Sequence, residues 1–233
     1  MLSFLDDFTP PQPDDPEERD QAARSLTEKC GYAAAALTIL PIPGSEIVAV
    51  MPIHVGMVVG IGHIYGEDVT RDSAMEMILR IGATVGLSLV GSRLATTAAK
   101  ILLPGLGGLI SAPFMYASTL AIGAVARAYF EKGGDLSKSE MKSVYQSTLK
   151  RARKDFDPKK MRSDDAKNLA KEAASKAKDI EPEVAAKAEE VAGADELEKD
   201  PVARLEQLKS LLDKGLIEPE EYEEVKNRIL SEL

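Results

Sequence analysis

Two stretches without a formal charge set the main constraint on how this chain folds. Residues 47–66 run for 20 positions and residues 101–126 for 26 without an Asp, Glu, Lys or Arg. A helix rises about 1.5 Å per residue, so about 20 apolar residues reach across a hydrocarbon core of roughly 30 Å. Each run is therefore long enough to span a bilayer or to form the centre of a bundle. A third run, residues 81–92, is bounded by Arg80 and Arg93 and is too short to span alone. These runs sit in a hydrophobic middle: residues 31–130 hold 58 apolar residues and 13 of the 17 glycines, and the flanks are charged and polar. Acids outnumber bases in both flanks, and the whole chain carries −9. That balance argues against a dedicated nucleic-acid binder, whose affinity comes from clustered Lys and Arg. A single cysteine, Cys30, excludes an internal disulfide framework and a Cys-rich zinc site.

The organisation expected along the chain is all-α. Residues 1–16 combine four acids with four prolines and read as an extended, disordered arm rather than a packed element. Leu2, Phe4, Leu5 and Phe8 are incidental apolar residues in that reading. Residues 17–132 read as one hydrophobic helical domain. A first helix stops at a corner made by Pro41, Pro43 and Gly44, and Glu46 lies in the first turn of the next helix, where a carboxylate suits the positive end of the dipole. The run from residue 101 is broken by Pro104, glycines and Pro113, which predicts a helix over residues 112–130.

Glycine spacing is the most informative pattern of the middle. Gly56 and Gly60, Gly62 and Gly66, and Gly82 and Gly86 each stand four apart, with Gly91 following. A helical glycine costs about 1 kcal/mol relative to alanine, and close backbone approach between helices is the usual compensation. Ala117, Ala121 and Ala124 offer a similar small face. These positions are the expected helix-packing sites, in a membrane or in a tight bundle. Tyr32, Tyr65, Tyr129 and Phe130 fall near the ends of apolar stretches, where amphipathic rings mark a lipid interface.

Residues 133–199 read as a charged helical spacer that lies outside the core. It opens with a helix over residues 136–156, whose basic end, Lys150, Arg151, Arg153 and Lys154, suits either anionic lipid or plain solvation. Residues 200–233 read as a two-helix hairpin, with Leu205, Leu208, Leu211 and Leu212 on one helix and Tyr222, Val225, Ile229 and Leu230 on the other. A hairpin this small cannot bury enough surface to stand alone, so these residues are expected to oligomerise or dock.

Candidate chemistry is sparse. His54 and His63 are nine residues apart, which puts them on opposite faces of one helix and excludes joint metal binding. His54 on an apolar helix is expected to be a buried, hydrogen-bonded polar residue. Gly60 and Gly62 begin a dinucleotide-like pattern, but no strand precedes them. No phosphate-binding Gly-x4-Gly-Lys-Ser/Thr loop occurs. The expectation is a non-enzymatic protein with no catalytic residue, no metal and no cofactor.

Two resemblances add to this reading. The stretch KCGYAAAALTILPIPGSEIVAVMPIHVGMVVGIGHIYG, continued by LLPGLGGLISAPFMYASTLAIGAVARAYF, resembles the bacterial YcjF-like domain of unknown function. That resemblance implies membrane association and a GTPase neighbour, with no established activity. The end, DPVARLEQLKSLLDKGLIEPEEYEEVKNRILSEL, is similar to the SHOCT module, a short C-terminal helical hairpin.

The resulting expectation is a membrane-associated scaffold or adaptor at the bacterial inner membrane or its cytoplasmic face. It is not secreted, its termini are cytoplasmic, and it forms homo-oligomers. Its partners are membrane lipid and a GTPase, and no nucleic acid. Two readings compete on the same residues: a soluble helical oligomer or adaptor with buried glycine faces, and a membrane-inserting pore-forming or remodelling protein.

Overall fold

The helices start and stop where local chemistry requires. The structure is a computed structural model that describes residues 8, 11–40, 46–85 and 111–192, with nine single positions between 205 and 230. Among the described residues every regular element is a helix. They are α1 (Pro16–Leu37), α2 (Glu46–Ile64), α3 (Arg71–Val85), α4 (Ser111–Glu131), α5 (Lys138–Asp155), α6 (Pro158–Met161) and α7 (Asp164–Ala192). The carboxylate of Asp15 caps α1, accepting from the backbone N–H groups of Glu17 at 2.8 Å and Glu18 at 3.1 Å. Pro16 fills the first helical position, where its missing N–H is not needed. Ser137 and Glu140 form a reciprocal capping box on α5.

Two helices end in the same way. The N–H of Glu67 donates to the carbonyl of Gly62 at 2.9 Å and that of Gly66 to His63 at 3.0 Å. Gly66 has φ +80°. The end of α4 repeats the pattern through Gly133, with Gly134 donating to Tyr129 and Gly133 to Phe130. Both are Schellman turns, in which glycine accepts the left-handed conformation and the last carbonyls find donors.

Packing places α2 at the centre, against α1, α3, α4 and α7. Ala49, Val50, Met51, Ile53, Val55, Met57, Val58, Ile61 and Ile64 are all buried, so this helix is apolar on every side because protein covers every side. The second half of α1, Tyr32 to Leu37, is sunk in the same way. Among the described residues no helix is long and apolar enough to cross a membrane. This corrects the expectation that residues 47–66 could span. The helix has 19 residues, contains Pro52 and is walled by its neighbours. Residues 101–110 of the longer run lie outside the described residues. Tyr32, Tyr129 and Phe130 pack internally instead of marking a lipid boundary: Tyr32 lies 4.5 Å from Tyr116 and Tyr129 lies 5.4 Å from Phe130, ring centre to ring centre.

The charged segment after residue 163 is helical, as expected, but its exclusion from the core does not hold. Ala166, Leu169, Ala170, Ala173, Ala177, Ile180, Val184 and Ala188 recur at three- and four-residue spacing and form a buried stripe along α7. That stripe lies on α1, α2 and α3. Alanine contributes little area per residue, yet it lets a long helix approach closely, and its neighbours Lys and Glu remain solvated on the other face.

Candidate functional site

The glycine face of α2 is occupied by the N-terminal arm. A Cβ built on Gly56 would lie 2.8 Å from the ring of Phe8, and one on Gly60 would lie 2.0 Å from the Phe8 carbonyl oxygen and 2.7 Å from Leu26. Phe8 is 1% exposed. The groove at Gly56 and Gly60 thus takes a side chain and a backbone carbonyl from the arm, and at Gly60 it also takes the Leu26 side chain of α1, so the expected helix contact is present at Gly60 while the arm fills the rest. The arm is held again at Gln12, whose side-chain amide donates to the His63 carbonyl at 2.8 Å. Arg19 reaches back to the carbonyl of Pro13 at 3.4 Å and stands over the Tyr65 ring at 5.9 Å. Phe8 therefore departs from the expectation of an unpacked arm. Leu2, Phe4 and Leu5 lie outside the described residues.

The other glycines of the pattern have separate roles. Gly62 is covered by Val69, whose side chain a Cβ would meet at 2.3 Å, and Gly66 is the turn residue after α2. Gly82 is half-buried on α3, while Gly86 and Gly91 lie outside the described residues. Pro41, Pro43 and Gly44 also lie outside them, and Glu46 is the first residue of α2.

The close helix crossing is elsewhere, between α1 and α4. A Cβ on Gly31 would lie 2.3 Å from Leu120, and one on Gly123 would lie 2.4 Å from Thr27. Ala117 and Ala121 are fully buried in α4, and Ala124 is half-buried. Neither Gly31 nor Gly123 stands four residues from another glycine, which is why the spacing rule passes over both. The signal available was their position among alanines on two apolar helices. An ion pair closes one end of this crossing: Arg127 donates to Asp20, which Arg24 also contacts at 2.6 Å. Burial pushes the Asp20 carboxyl up, but the hydrogen bonds and charges of Arg24 and Arg127 outweigh it and hold the group below the usual range.

His54 is 5% exposed and lies 2.9 Å from the Thr119 hydroxyl, across from α2 to α4. The Thr119 hydroxyl donates to the Met115 carbonyl at 2.8 Å. The histidine Nε2 must therefore carry the proton and donate to Thr119. Burial lowers the imidazole to about 4, so it is neutral at pH 7 and acts as a packing donor. Cys30 is fully enclosed, and desolvation pushes its thiol upward, away from the reactive thiolate.

Residues 16–154 match the family model described as a domain of unknown function, DUF697, and residues 203–230 match that of the short C-terminal domain, SHOCT. The chain belongs to the DUF697 family. Both resemblances drawn from the residues therefore stand. A relative in Magnetospirillum gryphiswaldense, "Magnetosome membrane protein 22", is 31% identical over 143 residues, which cover 58% of this chain and 72% of that protein. No solved structure matches.

The DUF697 match places Phe8 before its start and the core-forming stripe of α7 after its end. The folded unit around α2 thus includes residues from both sides of the family segment. In the SHOCT match Leu208 is buried, Leu205, Leu212 and Tyr222 are half-buried, and Leu230 is 45% exposed. Leu211, Val225 and Ile229 lie outside the described residues.

Proposed function

We propose that this DUF697 protein is a membrane-associated, non-enzymatic helical scaffold that oligomerises or docks a GTPase partner through its C-terminal hairpin. The observation that carries the reading is the relative from Magnetospirillum gryphiswaldense, named as a membrane protein and aligned over 72% of its length. Two polar contacts support a structural role, because each ties one helix to another: His54 with Thr119, and Arg127 with Asp20. In the SHOCT segment Leu230 is 45% exposed, and in this reading it is a contact for a second copy or a partner. Fractionation tests the first part. Membranes are pelleted from cells and washed with high salt and with carbonate. Pelleting with the membranes is expected, and quantitative recovery in the supernatant before any wash refutes the proposal.

A second reading, a helical oligomer acting as an adaptor away from lipid, is favoured by the burial of α2 on every side by protein. Size exclusion with light scattering in detergent-free buffer separates the two. A stable, defined oligomer from the unwashed supernatant supports the adaptor.

A further inference from the structure

The end of α5 and the short α6 form a basic corner on a chain of net charge −9. Residues 150–162 contain seven bases against two acids, Asp155 and Asp157. The side-chain carboxylate of Asp157 accepts the Lys159 N–H at 2.8 Å, capping α6. Tyr145, Leu149 and Ala152 define the buried face of α5. At about 100° per residue, Lys150, Arg151 and Lys154 fall on the opposite, outward face. After the turn, Met161 is buried while Lys159 and Arg162 are exposed. Cations in the last turn of a helix complement its dipole, which accounts for Arg153 and Lys154. Lys159 stands likewise in the last turn of α6, but the dipole does not account for Lys150, Arg151 and Arg162.

Two features make this a fixed surface. The Phe156 ring, in the turn joining the two helices, sits 5.5 Å from Tyr116 and 6.2 Å from Tyr32, so the corner is pinned to α1 and α4. Lys160 is drawn to Glu28 at 2.8 Å and lies over Tyr32, 5.5 Å from the ring centre, which ties α6 to α1. Lys150, Arg151, Lys154, Lys159 and Arg162 form no ion pair with another described residue. Five exposed cations thus stand within residues 150–162 without an ion pair to another described residue, an arrangement that an anionic surface relieves.

The structure assigns this corner as a docking surface for the phosphate headgroups of an anionic membrane. The assignment rests on the membrane-associated reading above and specifies the face that meets lipid. A planar array of headgroups fits better than a single anion, because these five cations are spread over two helices and all are exposed. The negative remainder of the chain keeps other faces away from the same surface, so the corner also sets orientation.

Vesicle co-sedimentation of the full chain tests it. Neutral phosphatidylcholine vesicles are compared with vesicles containing one-third phosphatidylglycerol, at low and at high salt. The chain is expected to pellet with the anionic vesicles and to be released by salt, since the screening length shrinks to about 3 Å at 1 M. The triple variant Lys150→Glu, Lys154→Glu and Arg162→Glu should lose at least about tenfold in partitioning, given that each surface cation contributes about a factor of five. A control, Lys138→Glu, Lys142→Glu and Lys171→Glu, changes the net charge equally at exposed sites elsewhere, and circular dichroism checks that both variants fold. Equal losses in the two variants overturn the assignment in favour of a net-charge effect. Unchanged binding of the corner variant overturns it while leaving membrane association standing. Wild-type indifference to lipid charge also overturns it, and the fractionation experiment then decides the broader reading separately. Tighter binding to a duplex DNA probe than to anionic vesicles overturns it in favour of a nucleic-acid partner.

Discussion

Two pairs of glycines in this molecule permit close approach, and they differ in what approaches. At the α1–α4 crossing, Gly31 and Gly123 each face side chains of another helix, held by the core on both sides. On α2, Gly56 and Gly60 face Phe8, which belongs to an arm held at a few points. The first contact yields only if the bundle deforms, whereas the second yields if the arm leaves. Identical chemistry in a helix therefore implies different mechanical consequences, depending on whether the partner can depart.

The largest effect is expected at the crossing. In Gly123→Val the Cβ meets Thr27, which is buried and bonded through its hydroxyl to the Ala23 carbonyl at 2.7 Å. Overpacking of this kind costs about 3 kcal/mol, and for a chain of this size that lowers Tm by roughly 8 °C. Calorimetry showing a shift under about 2 °C would mean that α1 and α4 separate easily, and the contrast with the arm would be lost.

A second test bears on the polar pin between α2 and α4. His54 is held near 4 in the folded chain and titrates at 6.5 when unfolded, so between those values the unfolded chain binds more protons. Its contribution is complete above pH 6.5, falls as pH drops toward 4 and is level below that. At pH 5 the loss is about 2 kcal/mol relative to pH 7. Urea unfolding of the wild type and of His54→Gln at both pH values should show this loss in the wild type alone. Parallel pH dependence in the two would place the acid sensitivity elsewhere.

Much of this architecture is readable from residues, and the exceptions share a cause. The helix expected over residues 112–130 lies within α4, Ser111–Glu131, whereas the caps at Asp15 and Ser137 and the turn at Gly66, expected as a packing site, come from the structure. The burial of His54 follows from its apolar helix, and the two family resemblances follow from short motifs. The arm was missed because four prolines in 16 residues argue for an extended chain, and an extended chain can still place one ring in a groove. Gly56 and Gly60 announce a close approach, but spacing does not say whether a helix or a loop makes it. The stripe on α7 was missed because alanine counts little on a hydropathy scale, even though its three- and four-residue spacing was present. In each case local composition was read correctly, and the tertiary partner decided its meaning.

The arm offers smaller and more discriminating tests. Phe8→Ala removes a buried ring, yet the arm can then detach and solvate, so the loss cannot exceed what docking supplies, about 1.5 kcal/mol. Cleavage of the arm by a nonspecific protease should speed up, with little change in hydrogen exchange across α1 and α4. Rising exchange throughout α1 instead would mean that the arm is integral to the bundle.

Gly60→Ala should have the smallest effect and the most informative sign. Its Cβ would collide with the Phe8 carbonyl, a backbone atom that cannot rotate aside, so the arm is expelled and its docking energy is lost. Alanine also favours the helix by about 1 kcal/mol over glycine, and the two effects nearly cancel, leaving about 0.5 kcal/mol of destabilisation. In a background already carrying Phe8→Ala there is little docked arm left to expel. The same Gly60→Ala change should then stabilise the protein by about 1 kcal/mol, with only the flexible Leu26 side chain to move. A double-mutant cycle by urea unfolding measures that reversal directly. If Gly60→Ala destabilises equally in both backgrounds, the glycine is needed for packing against α1 through Leu26, and the distinction between a yielding groove and a rigid crossing fails at that position.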